Sequence, residues 1–334
     1  DPATGEVQDF ASRQLNIMIF SFAAFIFLSF FNYRIFVKYA PVIYVAGCVL
    51  LLIVLLKGQV GMGAQRWIAI GPLPAIQPSE MFKWAWVVIV AWIFSDLQSS
   101  SMGIKKLVIK FVWVIPPFLL VFKQPDLGTA LTYIAVWGMV VCFLGVKRVI
   151  VVLAIIAAIV MIPIMWNSLA PYQQNRVLTF IEPERDPGGA GYQARQSRIA
   201  IGSGGLVGKG YLNGTQSHLK FMPERHTDFI FAVINEEFGF LGGGIIIAIF
   251  FILIMKIVYL GVYVRNPHGK IVCIGAASLI LFQFYVNISM TMGIAPVVGV
   301  PLPFISYGGS SLLTFVSLLG LVNSVYIRRN EDED

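Results

Sequence analysis

An aspartate stands where a long polar stretch runs into an apolar one. Residues 223–228 read P-E-R-H-T-D, and from Phe229 the chain stays largely apolar to about Val264. A carboxylate at such an edge lies at the level of lipid headgroups, where burying its ionised form is costly and demands a reason. Two reasons are open. Thr227 or Asp228 can cap the following helix by accepting hydrogen bonds from its first free N–H groups. Alternatively, Asp228 can act as a general base on a hydroxyl of a lipid-linked substrate at the membrane surface.

Other polar groups stand at comparable edges. Arg66-Trp67 is followed by Gln77-Pro78-Ser79-Glu80, and Lys83 comes three residues after Glu80. That spacing puts Glu80 and Lys83 on one helix face, as an ion pair or with Lys83 turned to a substrate anion. Asp126, between Pro125 and the apolar run from Leu127, has the position of an N-cap. Between 167 and 229 lie Arg176, Arg185, Arg195, Arg198, Lys209, Lys220 and Arg225, outnumbering the acids there. Guanidinium forks match phosphate oxygens. Three motifs fail. The glycine-rich run 202–210 lacks the spacing of a phosphate loop and has no Ser or Thr after its lysine. His218, His226 and His268 have no metal-ligand spacing, so no protein-held metal is expected. No G-x-S-x-G elbow is present.

The elements that must position these groups are membrane helices. The chain is 57% hydrophobic and 12% charged, and apolar runs of bilayer-spanning length recur. Nine are expected, over 14–36, 40–57, 78–97, 105–122, 127–145, 148–166, 230–263, 270–293 and 308–327. They lack the strict alternation of barrel strands. The short loops with Arg34 and Lys38, Lys105 and Lys106, Lys147 and Arg148, Arg265 and Lys270, and Arg328 and Arg329 fall on one side, which the positive-inside rule makes cytoplasmic. The loop 167–229 is then external, and its aromatic and isoleucine residues argue for an ordered cap on the membrane. The three cysteines, Cys48, Cys142 and Cys273, lie in apolar spans as small hydrophobes. The charge of +7 reflects cytoplasmic anchors and attraction to anionic lipid, not a nucleic-acid partner. Residues 293–309 are uncharged but too rich in Pro and Gly for regular helix, and they carry Ser306 and Tyr307. Such backbone at membrane depth must be buried or line a cavity. An external, membrane-edge site with one carboxylate and several cations suits transfer from a polyprenyl-pyrophosphate donor. It suits a carrier of such lipids equally well.

The motifs extend over essentially the whole chain: G-A-Q-R-W at 63–67, Q-P-S-E at 77–80, Q-P-D-L-G-T at 124–129, G-A-G-Y-Q at 189–193, Q-S-R-I-A-I-G-S-G-G at 196–205, G-K-G at 208–210 and G-T-Q-S at 214–217. The most specific are P-E-R-H-T-D-F-I-F-A-V at 223–233 and G-V-P-L-P-F-I-S-Y-G-G-S at 299–310. By these the chain resembles the SEDS family (shape, elongation, division and sporulation), and H-T-D-F-I-F favours its rod-shape, elongation branch. The resemblance implies one all-α polytopic membrane domain over 1–334 with a large extracytoplasmic loop at 167–229. It also implies ten helices in the family, so a further helix is expected before the nine seen here.

The implied activity is that of a peptidoglycan glycosyltransferase of the bacterial plasma membrane. It would polymerise lipid II through β-1,4 bonds with inversion and release undecaprenyl pyrophosphate on the extracytoplasmic side. The resemblance puts the catalytic aspartate on Asp228 and substrate contacts on Lys83, Glu80, Gln77, Arg13 and Arg66, with Arg195 and Arg198 among the loop cations. Asp126, Ser306 and Tyr307 are supporting positions. A divalent cation such as magnesium or manganese, held mainly by substrate pyrophosphate, is the expected cofactor. The expected partners are a class B penicillin-binding protein and other elongation-complex membrane proteins. A lipid II flippase is the alternative, and a scaffold for the penicillin-binding protein a third reading.

Overall fold

The computed structural model describes residues 10–61, 64–68, 76–94, 103–182, 189–215 and 226–331. Among these, helices dominate: α1 Phe10–Phe30, α2 Tyr33–Lys38, α3 Ala40–Lys57, α4 Pro78–Phe94, α5 Ile104–Phe111, α6 Ile115–Lys123, α7 Leu127–Phe143, α8 Arg148–Ser168, α9 Pro171–Ile181, α10 Ala190–Ser203, α11 Ile230–Tyr263, α12 Pro267–Thr291 and α13 Gly309–Ile327. An antiparallel hairpin, β1 Gln59–Gly61 with β2 Ala64–Trp67, lies between α3 and α4. Helices α3, α11, α12 and α13 are each long and apolar enough to cross a membrane, and shorter apolar helices run over Gln14–Phe30, Leu127–Phe143 and Arg148–Pro163.

Three expected spans are not the continuous rods that hydropathy predicts. The stretch 105–122 is α5, a 3-10 turn at Val112–Val114, and α6. Pro116 and Pro117 supply no N–H to the preceding turn, so the helical ladder cannot run through. The stretch 14–36 ends as helix at Phe30, and α2 starts anew under a cap from the Asn32 side chain to Arg34 N. Ser324 of α13 fills the gap, donating to Phe31 O at 2.6 Å and accepting from Tyr33 N at 3.2 Å. The third, α11, is kinked at Gly239, whose φ of 67° and ψ of −165° are not helical.

Helix α4 lies at the centre, with Trp86 through Ala91 fully buried, and packs against α3, α7, α12 and α13. Helix α13 pairs along its length with α1. The pair is close because residue 320 is Gly: a Cβ there would come within 2.8 Å of Phe25 O. Small residues that let helix backbones approach are the usual contact in lipid. The outer surface is apolar. Val149, Val152, Ile156, Ile159 and Val160 of α8 are all exposed. So large an apolar circumference marks a membrane-embedded surface.

The chain ends of the helices sort into two poles. At one, Arg328 Nη2 donates to Phe30 O at 2.6 Å and Arg34 Nη2 to Glu331 O at 3.0 Å, while Gly269 packs under Tyr33 and Val325. This is the basic pole. At the other are the starts of α4, α7 and α11, the end of α12, and the loop helices α9 and α10.

Candidate active site

The turn that carries Asp228 is held by its backbone. Tyr307 N donates to His226 O at 2.8 Å. Ser306 Oγ donates to Thr227 O at 2.6 Å while accepting from Leu302 N at 2.8 Å. Asn287 Nδ2, from the buried face of α12, donates to Asp228 O at 2.9 Å and Val300 O at 2.8 Å. Consecutive carbonyls at 226, 227 and 228 are thus each fixed by a separate donor. Within the irregular stretch 293–309, Ser306 and Tyr307 N serve this turn. The N-cap position of α11 is Phe229, with no side-chain cap. The expectation that Thr227 or Asp228 occupies the cap is therefore corrected: the clamp holds 226–229 in a turn, and regular helix starts only at Ile230.

The Asp228 carboxylate, half-buried, faces Arg176 of α9 across Gly299. A Cβ built on Gly299 would lie 3.4 Å from both Asp228 Oδ2 and Arg176 Nη1, and the φ of +73° at this position itself favours glycine. Arg176 also donates to Val297 O at 3.3 Å and lies over the Tyr172 ring at 5.6 Å. It lines two adjoining grooves that share Pro296 and Val297. The larger, about 410 Å³, adds Arg198 and Thr179; the other, about 300 Å³, adds Arg66 and Tyr172. Arg198 reaches its groove across Gly293, where a Cβ would come within 2.8 Å of its Cδ. Cations on two grooves beside a carboxylate can hold an anionic leaving group next to a proton acceptor.

Behind the second groove runs a hydrogen-bonded network. Asp126 caps α7 by accepting from Thr129 N at 3.1 Å, and its other oxygen accepts from Gln77 Nε2 at 3.1 Å. Arg66, brought in by β2, lies 4.0 Å from the same carboxylate and donates to Gln124 O at 3.1 Å, to Tyr172 Oη at 3.0 Å and to Pro125 O. Burial raises the Tyr172 pKa, against the opposing pull of Arg66 and Arg176, so the phenol stays a neutral donor at neutral pH. Gln77 N is in turn met by Ser310 Oγ at 3.0 Å.

Glu80 and Lys83 form an ion pair at 2.5 Å within α4, and both are almost fully buried. They line neither groove. Thr314 Oγ1 and Tyr133 Oη anchor the same helix turn through Glu80 O and Ser79 O. Glu80 Oε2 is buried and has no hydrogen-bond partner among the described residues. Breaking such a pair from one side leaves a buried charge, which costs about 3–5 kcal/mol. Lys83→Met is therefore expected to destabilise the detergent-purified protein by about that amount, and Lys83→Met with Glu80→Gln by much less. Thermal unfolding of the two variants beside the parent checks this.

Of the remaining sequence candidates, Arg195 is exposed on α10 one turn before Arg198 and lines neither groove. Arg13 lies in α1, but its side chain is outside the described residues, as are Arg185, Lys220 and Arg225. Two residues emerge only in three dimensions. Arg176 is one of seven loop cations in sequence, and Asn287 is one amide in an apolar span; no local signal separates either from its neighbours. Among the described residues no three His, Cys, Asp or Glu side chains gather as metal ligands, so they provide no cage for a divalent cation.

Comparison with known proteins places this arrangement in context. The sequence model FTSW_RODA_SPOVE, described as a cell cycle protein, matches residues 2–331. A peptidoglycan glycosyltransferase, MrdB of Escherichia coli K12, is 44% identical over 299 residues, covering 89% of this chain and 80% of that protein. A chain from a structure titled for coordination of polymerization and crosslinking by a peptidoglycan synthase complex superposes with a TM-score of 0.83 at 29% identity, over 98% of this chain and 92% of that one. The crystal structure of the rod shape determining protein RodA of Thermus thermophilus superposes with a TM-score of 0.72 at 25% identity, over 98% and 91%.

Proposed function

We infer that this chain, which belongs to the FtsW/RodA/SpoVE family of cell cycle proteins, is a multi-pass membrane peptidoglycan glycosyltransferase. The observation that carries the site assignment is the convergence of Asp228 Oδ2 and Arg176 Nη1 on Gly299, with Arg176 opening onto both grooves. We assign Asp228 as general base. It takes the proton from the acceptor sugar's hydroxyl as that oxygen bonds to the anomeric carbon of the donor lipid II. The bond from that carbon to the pyrophosphate oxygen breaks, and undecaprenyl pyrophosphate leaves. One displacement inverts the anomeric centre and gives the β-1,4 link.

Charge develops on the pyrophosphate as it departs, so cations are useful there. Arg176 and Arg198 would meet it, with Arg66 at the second groove; Arg195 is exposed and lines neither groove. Ser306, Tyr307 and Asn287 hold the turn of the base, and Asp126, which accepts from Gln77, lies beside Arg66. Contact of Lys83 and Glu80 with substrate, as the family resemblance implies, requires their buried pair to open. A divalent cation such as magnesium or manganese would come with the pyrophosphate oxygens and neutralise charge; the described residues offer it no cage. The site lies at the pole opposite Arg34, Arg328 and Arg329, which favours the extracytoplasmic side. The proposed partner is a class B penicillin-binding protein that cross-links the new strand.

The test is to incubate the purified protein, with and without that partner, with lipid II and a divalent cation, and to separate the products on a gel. A ladder of glycan chains is expected. No ladder under any condition from folded protein would overturn the reading.

A further inference from the structure

The glycine-rich run 202–210 is no phosphate loop, yet it has a definite partner. It seats into the kink of α11. Lys209 N donates to Glu236 O at 3.0 Å and Gly210 N to Glu237 O at 2.9 Å, while Phe240 N donates to Gly205 O at 2.9 Å and Leu241 N to Leu206 O at 3.1 Å. These bonds take up backbone groups that the break at Gly239 releases. The glycines are required by contact. A Cβ on Gly204 would come within 1.9 Å of Asn235 O, on Gly208 within 2.1 Å of Glu237 O, and on Gly239 within 2.4 Å of Gly208 N.

A charge pair closes this junction. Glu236 is fully buried, and its Oε1 accepts from Lys209 Nζ at 2.8 Å and Thr215 Oγ1 at 3.2 Å; Lys209 also donates to Thr215 Oγ1 at 2.9 Å. The Glu236 carboxylate is buried whereas Lys209 is partly exposed, and a buried charge left without its partner is costly, so the pair favours the arrangement that brings the two together. What this one fixes is the first segment of α11 against the chain leaving α10. That segment follows Asp228 directly, and α10 carries Arg198. The two elements meet a second time nearer the site, where Ala200 packs with Phe229, Ala232, Met290 and Val297. Ser197 Oγ ties α10 to the end of α12 as well, donating to Thr291 O at 2.7 Å.

We propose that the Lys209–Glu236 pair is a positioning device for the glycosyl transfer: it locks α10 to the kinked first segment of α11 and so sets Arg198 relative to Asp228. Neither residue touches the grooves. The inference rests on the reading of Asp228 and Arg198 given above, and it makes the kink at Gly239 functional.

The test compares wild type, Lys209→Ala and Lys209→Arg, each with its transpeptidase partner, by two readouts. The first is hydrogen exchange at Phe240 and Leu241, whose amides bond to the loop. The second is steady-state polymerisation of lipid II, normalised to folded protein. Lys209→Ala is expected to speed exchange at both amides at least tenfold and to lower kcat by roughly tenfold to a hundredfold with KM nearly unchanged, since a small misplacement acts on the reacting geometry. Lys209→Arg should recover most of both. Faster exchange with unaltered kcat would make the pair merely structural, and unaltered exchange would remove the lock; either result overturns the proposal. If Lys209→Ala does not fold, Lys209→Met with Glu236→Gln, which strands no buried charge, is read by the same criteria. Failure of the wild type to polymerise would strike the glycosyltransferase reading instead, while exchange still decides whether the lock exists.

Discussion

Asp228→Asn is expected to reduce glycan polymerisation by about 10²–10⁴-fold, the usual contribution of a general base, with the fold intact. Three hydrogen bonds at the turn end on the carbonyl oxygens of 226, 227 and 228, and another braces Ser306. An amide of the same shape keeps these backbone bonds while removing the proton acceptor and the charge that faces Arg176. The N-cap reading predicts a different result. A cap to Ala change costs about 1 kcal/mol of stability and little turnover, and Asn is itself a good cap. Gel ladders of wild type, Asp228→Asn and Asp228→Ala, with thermal unfolding of each, separate the two. A variant that loses the ladder yet melts with the wild type assigns Asp228 to the reaction. A full ladder from Asp228→Ala moves the base elsewhere.

Local signals in the sequence were enough for some elements. Asp126 is legible as a cap because Pro precedes it and an apolar run follows, and both conditions act within one helical turn. Pro78 announces the start of α4 for the same kind of reason. Hydropathy, by contrast, registers that a segment is apolar and is blind to whether its helical ladder is continuous. Pro116 and Pro117 are local breakers, and a count of apolar residues over 105–122 does not register them. The kink at Gly239 was harder, because the residues that accept and occupy the break, Gly205 to Gly210, lie some thirty positions earlier in the chain. The same limit applies to the site. Asp228 stands out at a polar-to-apolar edge, whereas Arg176 is singled out only by where α9 lies against Gly299.

Arg176→Ala should be the second most damaging single change, lowering kcat by about 10²–10³-fold, the range seen when one donor to a developing oxyanion is removed. The guanidinium has several tasks at one place. It faces the Asp228 carboxylate across Gly299, bonds to Val297 O, lies over the Tyr172 ring and borders both grooves. A planar fork can meet these together, whereas the ammonium of lysine is a single point charge. Arg176→Lys is thus expected to restore only part of the lost rate. Steady-state kinetics with lipid II distinguish the possible roles. Equal losses in kcat and kcat/KM mean that Arg176 acts in the transition state; a rise in KM with kcat unchanged means that it merely binds substrate. Gly299→Ala is an independent check, because it retains both charged groups. Its methyl would stand 3.4 Å from each, at a φ that disfavours any side chain. If the approach of Arg176 to Asp228 matters, this one methyl should lower kcat although no catalytic group is lost. Full activity in Gly299→Ala would mean that the two groups work independently, with Arg176 serving the grooves alone.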